Sequence, residues 1–351
     1  MEPIFDNFAL KLKILKFSFI IPVYNRPEEL KELLDSFVNQ DIDDTSFYEI
    51  IIVDDGSHED LRPVIEQYSD RLPIHYLRKK NTGPGDSRNR AMEIAHGEYF
   101  IILDSDVLLP ARYLSRLRRA EQKGMLTDMG GGADAAHPEF SDFQKAVDSV
   151  MTSYLTTGGI RGKKTNISRY VPRSFNMIVH RKVFEETGGF SNMHPGEDPE
   201  WVYRAWNKGF KSVFYPELFV YHKRRINLKK FFDQMKKFGM SRVILLDRFP
   251  QYGGAMYYFP LIYSAGLILA LLLALAGRPF LLILYAVYWL MILIEFLLRT
   301  KSPKISLLAL FLYQIQMGAY AYGFLNAFIK IRMRGKKPED AFPQLFFKLK
   351  N

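Results

Sequence analysis

Charged residues become rare between Tyr257 and Ala327, and this change in composition divides the chain into two parts. The apolar part contains three long stretches, which run from Tyr257 to Ala276, from Phe280 to Leu298 and from Ile305 to Ile329. A helix that crosses the hydrocarbon core of a bilayer needs about 20 apolar residues. The sequence therefore predicts a soluble domain over residues 1–225, a membrane domain over residues 253–330 with two to three transmembrane helices, and a basic tail over residues 331–351.

The basic residues indicate where a membrane surface would lie. The chain has 351 residues, a net charge of +10 and no cysteine, so disulfides and thiolate metal sites are excluded. Many lysines and arginines lie next to the apolar stretches, which favours anionic lipid over nucleic acid as the partner. Residues 226–252 mix basic and apolar residues at helical spacing. They predict an amphipathic helix that lies in the membrane interface or packs on the soluble domain.

Short apolar runs alternate with helical patterns in the N-terminal part of the chain. Strands are predicted at residues 17–23, 48–54, 74–79 and 99–103, with a helix after each of the first three. This βαβαβαβ order predicts an α/β, Rossmann-like fold with a mostly parallel sheet. Such sheets bind ligands at the carboxyl ends of their strands.

Polar residues follow three of the predicted strands, namely Tyr24, Asn25, Asp54, Asp55, Asp104 and Asp106. Because the ends of parallel strands meet at one edge of a sheet, we expect these residues to share a site. Two carboxylates separated by one residue suit Mg²⁺ or Mn²⁺, although an Asp-x-Asp sequence can also simply end a strand. No glycine-rich phosphate loop is present in the sequence, so a metal and side chains are expected to hold any phosphate.

Three sequence segments resemble a known family. FSFIIPVYNRPEEL (17–30), IIVDDGS (51–57) and GPGDSRNRAMEIAHGEYFIILDSD (83–106) are similar to the nucleotide-binding half of family 2 glycosyltransferases, which have the GT-A fold. The resemblance extends over about residues 17–225. It implies transfer of a sugar from a nucleotide diphosphate, with UDP as the favoured carrier and Mn²⁺ or Mg²⁺ as the cofactor.

The resemblance also implies roles for residues on the donor side of the site. Asp55 is expected to contact the nucleotide base, and Tyr24 and Asn25 to lie near the nucleotide. Arg88 and Asp104 are expected to contact the nucleotide sugar. The alternative for Arg88 is a charge on the surface of a helix.

Two residues are expected to hold the metal. Asp106, the last residue of the Asp-x-Asp sequence, resembles the metal-binding aspartate of the family. His222 follows a predicted strand and resembles a histidine that completes metal coordination in some members. A neutral imidazole suits manganese, but a histidine at the end of a strand can also be only a polar terminus.

A second acidic segment, GEDPEW, occupies residues 196–201. A helix is expected to start at Pro199, so that Glu197 and Asp198 lie at its N-terminus, where the helix dipole stabilises a carboxylate. The segment resembles the Glu-Asp motif of the family. The resemblance implies that Asp198 is the general base that deprotonates the acceptor, and that Glu197 and Trp201 shape the acceptor pocket. An ordinary N-cap aspartate is the alternative for Asp198.

The acceptor is predicted by resemblance and by the membrane part. The sequence YRAWNKG (203–209) does not match the Gln-x-x-Arg-Trp motif of processive synthases, which favours transfer of one sugar. Attack of the deprotonated acceptor on the face opposite to the leaving nucleotide would invert the configuration of the sugar. Apolar stretches beside the site suggest a lipid-linked or glycan acceptor held at the membrane. Two alternatives remain open: a polyprenyl-phosphate sugar synthase, whose anionic acceptor needs no base, and a catalytically silent membrane scaffold.

The arrangement in the membrane is left undecided by the sequence. Residues 1–17 lack a long uncharged apolar run and a small-residue cleavage site, so we expect the catalytic domain on the cytosolic face of the cell (inner) membrane. If all three stretches cross, the tail at 331–351 lies on the opposite face, against the positive-inside rule. The third stretch, which contains Gln314 and Gln316, is the best candidate to pack against protein. Residues 156–170 predict a mobile basic loop near the site.

Overall fold

The structure, a computed structural model, describes residues 15–135, 137, 139–157, 170–223 and 227–347. The loop predicted at 156–170 lies mostly outside the described residues. The strands are β1 Phe17–Val23, β2 Tyr48–Asp54, β3 Ile74–Arg78, β4 Tyr99–Ile102, β5 Val107–Leu108, β6 Met129–Gly131, β7 Asp134–Ala135, β8 Met177–His180, β9 Ser212–Phe214 and β10 Val220–His222. The helices are α1 Pro27–Val38, α2 Arg62–Glu66, α3 Pro84–Ile94, α4 Tyr113–Gln122, α5 Asp142–Thr152, α6 Tyr154–Thr157, α7 Arg181–Thr187, α8 Glu197–Asn207, α9 Leu228–Arg248, α10 Phe259–Leu275, α11 Phe280–Thr300, α12 Pro303–Ala327 and α13 Pro338–Ala341.

Seven strands form the main sheet, in the order β3-β2-β1-β4-β8-β6-β9. Strand β1 lies between β2 and β4 and is parallel to both, whereas β8 is antiparallel to both of its neighbours. The predicted α/β fold with a mostly parallel sheet is therefore confirmed. The carboxyl ends of β1, β2 and β4 lie at one edge, as their parallel register requires.

Helices cover both faces of this sheet. In β1, Phe19 and Ile21 belong to the core on one face and Ile20 belongs to the core on the other, as the alternation of side chains along a strand requires. Leu33 of α1 is buried in the first core, and Ala91 of α3 is buried in the second. Because both faces are occupied, the polar groups that follow the strands lie at the edge, where a ligand can reach them.

A second sheet of three short strands, in the order β5-β10-β7, brings His222 to that edge. Strand β10 is antiparallel to β5, and its last residue, His222, is paired with Val107. Val107 directly follows Asp106 in the sequence, so the register of this small sheet places the histidine beside the acidic turn. The backbone N–H of Lys223 donates to the carbonyl of Asp106 at 2.9 Å and extends the pairing.

Helix α9 packs along α12, and the two backbones approach closely at paired glycines. A Cβ atom on Gly239 would meet the carbonyl of Tyr320, and one on Gly323 would meet the carbonyl of Lys236. The apolar face of α9, which includes Phe231 and Met235, is buried by this contact. The predicted amphipathic helix at 226–252 is therefore present, and one side of it packs against protein.

Three helices are long and apolar enough to cross a membrane, within the described part of the chain: Ala255–Leu275, Phe280–Thr300 and Pro303–Met333. Only 11% of each of the first two is buried, whereas 50% of the third is buried. Helices α10 and α11 form a hairpin whose outer surface is apolar, with Leu275 87% exposed near its turn. Glu295, an acidic residue within the second apolar stretch, accepts hydrogen bonds from Ser153 Oγ at 2.7 Å and from the Tyr154 N–H at 3.1 Å. It therefore joins α11 to the sheet domain.

The C-terminal tail returns to the sheet domain. The N–H of His194 donates to the carbonyl of Leu345 at 2.7 Å, and the N–H of Phe347 donates to the carbonyl of Asn192 at 3.0 Å. Leu345 is completely buried. At its other end, α12 contacts the same domain, because Lys304 forms an ion pair with Asp142 at 2.8 Å. Both ends of the third apolar segment therefore lie beside the domain that precedes the membrane part.

Candidate active site

The loops after β1 and β2 are joined by Asn25. Its N–H donates to Ser57 Oγ at 2.9 Å, and its side-chain oxygen accepts from the N–H of His58 at 2.8 Å. Asn25 has a φ of 53°, a left-handed conformation that asparagine tolerates better than most residues. Tyr24, 43% exposed, lies beside the ring of His58. The structure therefore brings the two predicted residues together with the DDGS loop, and their contact with a nucleotide remains a prediction.

Asp55 is buried and holds the loop that precedes α3. Its two carboxylate oxygens accept from the N–H groups of Thr82 and Gly83, each at 2.9 Å, and Lys79 forms an ion pair with it. Gly83 has a φ of 100°, which favours glycine at this turn. Asp55 therefore has a structural role, and its predicted contact with the nucleotide base has not been tested.

Asp104, Asp106 and His222 form a cluster that can hold a metal ion. One ligand atom of each residue lies within 4.8 Å of those of the other two. His222 Nε2 is 3.3 Å from Asp106 Oδ1, and its ring stacks on Phe175 with centroids 4.9 Å apart. Two carboxylates and one imidazole are a donor set that suits Mn²⁺ and other divalent cations. The cluster therefore suggests a divalent metal, and it adds Asp104 to the ligands predicted from the sequence.

Two arginines balance the charge of this cluster. Arg26 forms an ion pair with Asp106, and Arg88 donates to Asp104 at 2.6 Å. The side chain of Arg88 is only 3% exposed, so it is not a charge on the surface of a helix. It contacts Asp104 and Glu197 in this structure, and the contact with the donor predicted for Arg88 would therefore be indirect.

Glu197 is enclosed by positive groups. Its Oε1 atom lies 2.8 Å from His194 Nδ1 and 3.3 Å from an Arg88 nitrogen. Burial by itself would raise the pKa of Glu197, but His194 and Arg88 more than offset it and hold the pKa below its usual range. An anionic carboxylate paired on two sides is suited to position its neighbours. The structure therefore favours a positioning role over direct proton transfer for Glu197.

Asp198 has the opposite electrostatic environment. Burial raises the pKa of Asp198 to about 6, and the charge of Glu197 beside it adds to the rise, while Arg173 opposes it. One of its oxygens accepts from the N–H of Ser174 at 3.3 Å. Helix α8 begins at Glu197, two residues before the predicted start, so both acidic residues lie in its first turn. A carboxylate whose pKa is near neutrality is suited to accept a proton.

Trp201 does not face the acceptor side of the site, and the predicted contact is wrong. Its side chain is completely buried, packs on Phe190 with ring centroids 4.6 Å apart, and donates through Nε1 to Thr187 Oγ1 at 2.6 Å. It lies three residues after Asp198 on α8, on the face that is packed against the sheet. The tryptophan is therefore a core residue that fixes this helix.

A cavity of about 1170 Å³ contains the metal cluster and Asp198. Beyond Asp198 it is lined by residues of α9, by the segment that leads into α10, and by α12, including Arg242, Tyr257 and Tyr320. The cavity therefore continues from the ends of the strands to the apolar helices.

Several residues of the site were missed by sequence analysis: Arg26, Arg173, His194 and Arg242 line the cavity, and Asp134 Oδ2 lies 3.6 Å from His222 Nδ1. Arg26 directly follows the Tyr24-Asn25 pair, and His194 lies three residues before Glu197, so nearness to a motif was an available signal for both. No sequence pattern marks the other three, which reach the site only through tertiary packing.

Comparison with known proteins agrees with this geometry. The family described as Glycosyl transferase family 2 matches residues 18–188. The chain is 28% identical over 238 residues to glycosyltransferase AglE of Haloferax volcanii, and the match covers 66% of this chain and 75% of the relative. It is 38% identical over 95 residues to the poly(ribitol-phosphate) beta-N-acetylglucosaminyltransferase TarS of Staphylococcus aureus, but this match covers only 26% of the chain and 16% of the relative.

A solved structure resembles most of the chain. It is the mannosyltransferase PcManGT of Pyrobaculum calidifontis in complex with GDP-Man and Mn²⁺, with a TM-score of 0.56 and 16% sequence identity. The likeness covers 90% of this chain and 87% of that protein, and at this identity it concerns the fold. Residues 18–188 are therefore similar to family 2 glycosyltransferases, as the sequence segments had predicted, and the likeness to the solved structure supports the predicted GT-A-like fold.

Proposed function

We propose that this protein is a family 2 glycosyltransferase, which transfers one sugar, with inversion, from a nucleotide diphosphate to a hydroxyl group of an acceptor held at the membrane. The cavity that joins the metal cluster, Asp198 and the apolar helices carries this proposal. UDP is the proposed carrier of the donor sugar, and Mn²⁺ or Mg²⁺ the proposed metal. The bound metal would neutralise the negative charge that develops on the leaving diphosphate.

In the proposed reaction, Asp198 takes the proton of the acceptor hydroxyl. The acceptor oxygen then forms a bond to the anomeric carbon on the face opposite to the nucleotide, and the bond between that carbon and the phosphate oxygen breaks. Glu197 stays anionic between Arg88 and His194 and keeps the pKa of Asp198 raised. Asp104, Asp106 and His222 would hold the metal, and Arg26 beside Asp106 offers a further positive charge to the diphosphate.

A membrane position is supported by the hairpin of α10 and α11. Its outer surface is apolar along its length, and α11 is joined to the sheet domain through Glu295. We propose that these two helices cross the membrane and that α12 does not, because both ends of α12 lie beside the sheet domain and the tail returns to it. The catalytic domain and the tail then share the cytosolic face, which satisfies the positive-inside rule.

The substitution Asp198→Asn tests the proposed base. Removing a positioned general base lowers the rate of transfer by about 10²–10⁴-fold. Stabilisation of the protein by UDP and Mn²⁺ in a thermal-melting assay should be unchanged, because the variant keeps the metal cluster. Asp70→Asn, at an exposed position, is the matched control. Full activity of Asp198→Asn would contradict a hydroxyl acceptor and favour an anionic one such as a polyprenyl phosphate.

The absence of cysteine from the sequence allows a direct test of the membrane arrangement. Single cysteines at Lys123, Arg278 and Lys336, all exposed, report on the sheet domain, the hairpin turn and the tail. A membrane-impermeant maleimide should label Lys123→Cys and Lys336→Cys from the same face of sealed vesicles, and Arg278→Cys from the other face. Labelling of Lys336→Cys from the face opposite to Lys123→Cys would show that α12 crosses, and would contradict the proposal.

A further inference from the structure

We infer that Arg173 and Arg242 form an anion site on the acceptor side of the cavity, and that it takes a phosphate or diphosphate ester carried by the acceptor. The identity of this ligand as part of the acceptor rests on the proposed function, whereas the anion site itself is inferred from the charges of the cavity. None of the comparisons describes such a site for this chain.

Arg242 lies on α9 in a setting of tyrosines. Its guanidinium carbon lies 3.8 Å from the centre of the Tyr257 ring, and one nitrogen donates to the hydroxyl of Tyr203 at 3.3 Å. No carboxylate among the described residues forms an ion pair with it. A guanidinium has five N–H donors, so most of them remain for a ligand. Such a group, withdrawn from water without a counter-charge, is costly unless an anion binds to it.

Arg173 reaches the cavity from the segment before β8. The N–H of the next residue, Ser174, donates to Asp198 at 3.3 Å, which places the backbone of Arg173 beside the proposed base. Its side chain lines the cavity and, like that of Arg242, is without an ion-pair partner in the described part of the chain. Tyr203, which accepts from Arg242, lies on the same helix as Asp198. The two arginines therefore follow Asp198 along the cavity.

The other charges of the cavity place this anion site apart from the donor side. Arg26 and Arg88, near the metal cluster, are already paired with Asp106 and Asp104. On the acceptor side, the cavity is also lined by Lys230, Lys237 and the single carboxylate of Asp233, all on α9. The arginines near the metal cluster are therefore paired with carboxylates, whereas the basic residues beyond Asp198 outnumber the carboxylates there.

The surroundings of the two arginines indicate which organic group the phosphate carries. From Tyr257 the cavity continues along Met256, Phe259, Pro260 and Ile262, and Ile262 is 65% exposed on the apolar hairpin. A lipid chain esterified to the phosphate could leave the cavity along this path and enter the bilayer. The two guanidinium groups complement the negative charge of a phosphate, and the apolar lining beside them complements a lipid chain.

Binding of two probes to the full chain in detergent tests the site. The probes are farnesyl diphosphate, which has a lipid chain, and inorganic diphosphate, which has none. Both are measured with EDTA present, so that neither can bind through a metal at Asp106. The double variant Arg173→Gln, Arg242→Gln should bind farnesyl diphosphate at least tenfold more weakly than the wild type. Arg119→Gln, an exposed arginine of α4, is the control and should bind like the wild type.

Folding of the variants is checked separately. Thermal stabilisation by UDP and Mn²⁺ reports on the donor side and should be the same in the double variant and in the wild type. Arg173→Gln alone should already weaken binding, so the test does not depend on the double variant.

Each outcome decides between stated alternatives. If farnesyl diphosphate binds through the arginines and inorganic diphosphate does not, the ligand is a lipid phosphate. If both bind equally and through the arginines, the anion site stands but takes a soluble phosphate ester. Unchanged binding in the double variant, or no binding of either probe to the wild type, overturns the site. Failure of the proposed base would appear as full transfer activity in Asp198→Asn, whereas failure of the anion site would appear as unchanged probe binding in the double arginine variant, so the two failures are distinguished.

Discussion

The donor side and the acceptor side of the cavity differ in how their charges are compensated. On the donor side, each of the two carboxylates that follow β4 has an arginine beside it, Arg26 beside Asp106 and Arg88 beside Asp104, and the ring of His222 completes the cluster. On the acceptor side, Arg242 is surrounded by tyrosines and the proposed base has a raised pKa. The donor side is therefore organised before any ligand binds, whereas the acceptor side keeps charges that only a ligand can balance.

Arg88 joins the two sides. It is buried and contacts Asp104 at 2.6 Å and Glu197 at 3.3 Å, two residues that are far apart in the sequence. Through Glu197 it also affects Asp198, the next residue of α8. One buried guanidinium therefore sets the distance between the metal ligands and the proposed base. Variants at single residues can test whether the donor side and the acceptor side function independently.

The largest effect is expected from Asp106→Asn, which removes a carboxylate from the metal cluster. Transfer should fall by about 10²–10³-fold, the cost of losing one group that stabilises developing charge. Stabilisation by UDP should no longer depend on Mn²⁺, while farnesyl diphosphate should bind as before in the presence of EDTA. Asp60→Asn, at an exposed position, is the control. If Asp106→Asn lost both sugar transfer and binding of farnesyl diphosphate, the donor side and the acceptor side would not be independent.

Arg88→Met should affect both sides. It leaves the buried carboxylate of Glu197 with one positive neighbour fewer, so the free energy of unfolding should fall by about 3–5 kcal/mol. Transfer should fall by about 10–100-fold because two ligand-bearing loops lose their common contact. Arg90→Met, exposed on the same helix and paired with Glu93, should change neither quantity. A fall in transfer without loss of stability would mean that Arg88 acts directly on the donor.

The pH dependence of transfer should report on Asp198. Because burial raises its pKa to about 6, the carboxylate is deprotonated above that pH and protonated below it. A base must be deprotonated to act, so kcat/KM should be constant at higher pH and fall by about tenfold per pH unit below about 6. The measurement is a pH profile at saturating Mn²⁺. A profile in Asp198→Asn with the same midpoint would assign the titration to another group.

The smallest effect is expected from Phe347→Ala in the tail. The ring of Phe347 lies directly over Gly83, whose N–H donates to Asp55, so the tail covers one wall of the donor side. Loss of this apolar contact should weaken the free energy of donor binding by about 1 kcal/mol, which raises KM for the donor roughly fivefold. Phe280→Ala, exposed at the hairpin, should leave KM unchanged. If Phe347→Ala changed binding of the acceptor instead of the donor, the tail would act on the acceptor side of the cavity, contrary to this prediction.

Local sequence patterns predicted that the polar residues after three strands would meet. The apolar runs of β1, β2 and β4 are long and uninterrupted, and parallel strands must bring their carboxyl ends to one edge, so the meeting of Asn25, Asp55 and Asp104 followed from the strand order. His222 was found by its resemblance to a family motif, and the register of β10 against β5 explains it physically.

The acceptor side was predicted less well, because packing rather than pattern decides it. Trp201 lies beside the Glu-Asp motif, but α8 turns this side chain into the core and faces Asp198 to the cavity. Arg173 and Arg242 belong to segments without a motif. Both line the same cavity only in the folded chain, where Arg242 of α9 contacts Tyr203 of α8, and no local periodicity encodes this contact.

The sequence by itself determined the α/β order, the acidic turns at the strand ends and the apolar composition of the last third, because each depends on neighbouring residues and on backbone geometry. Only the tertiary structure decided that Arg88 pairs with both acidic segments, that α12 lies along α9 and that the tail returns to Gly83. These contacts join residues far apart in the chain, and their free energy depends on burial and on charge neighbours that exist only after folding.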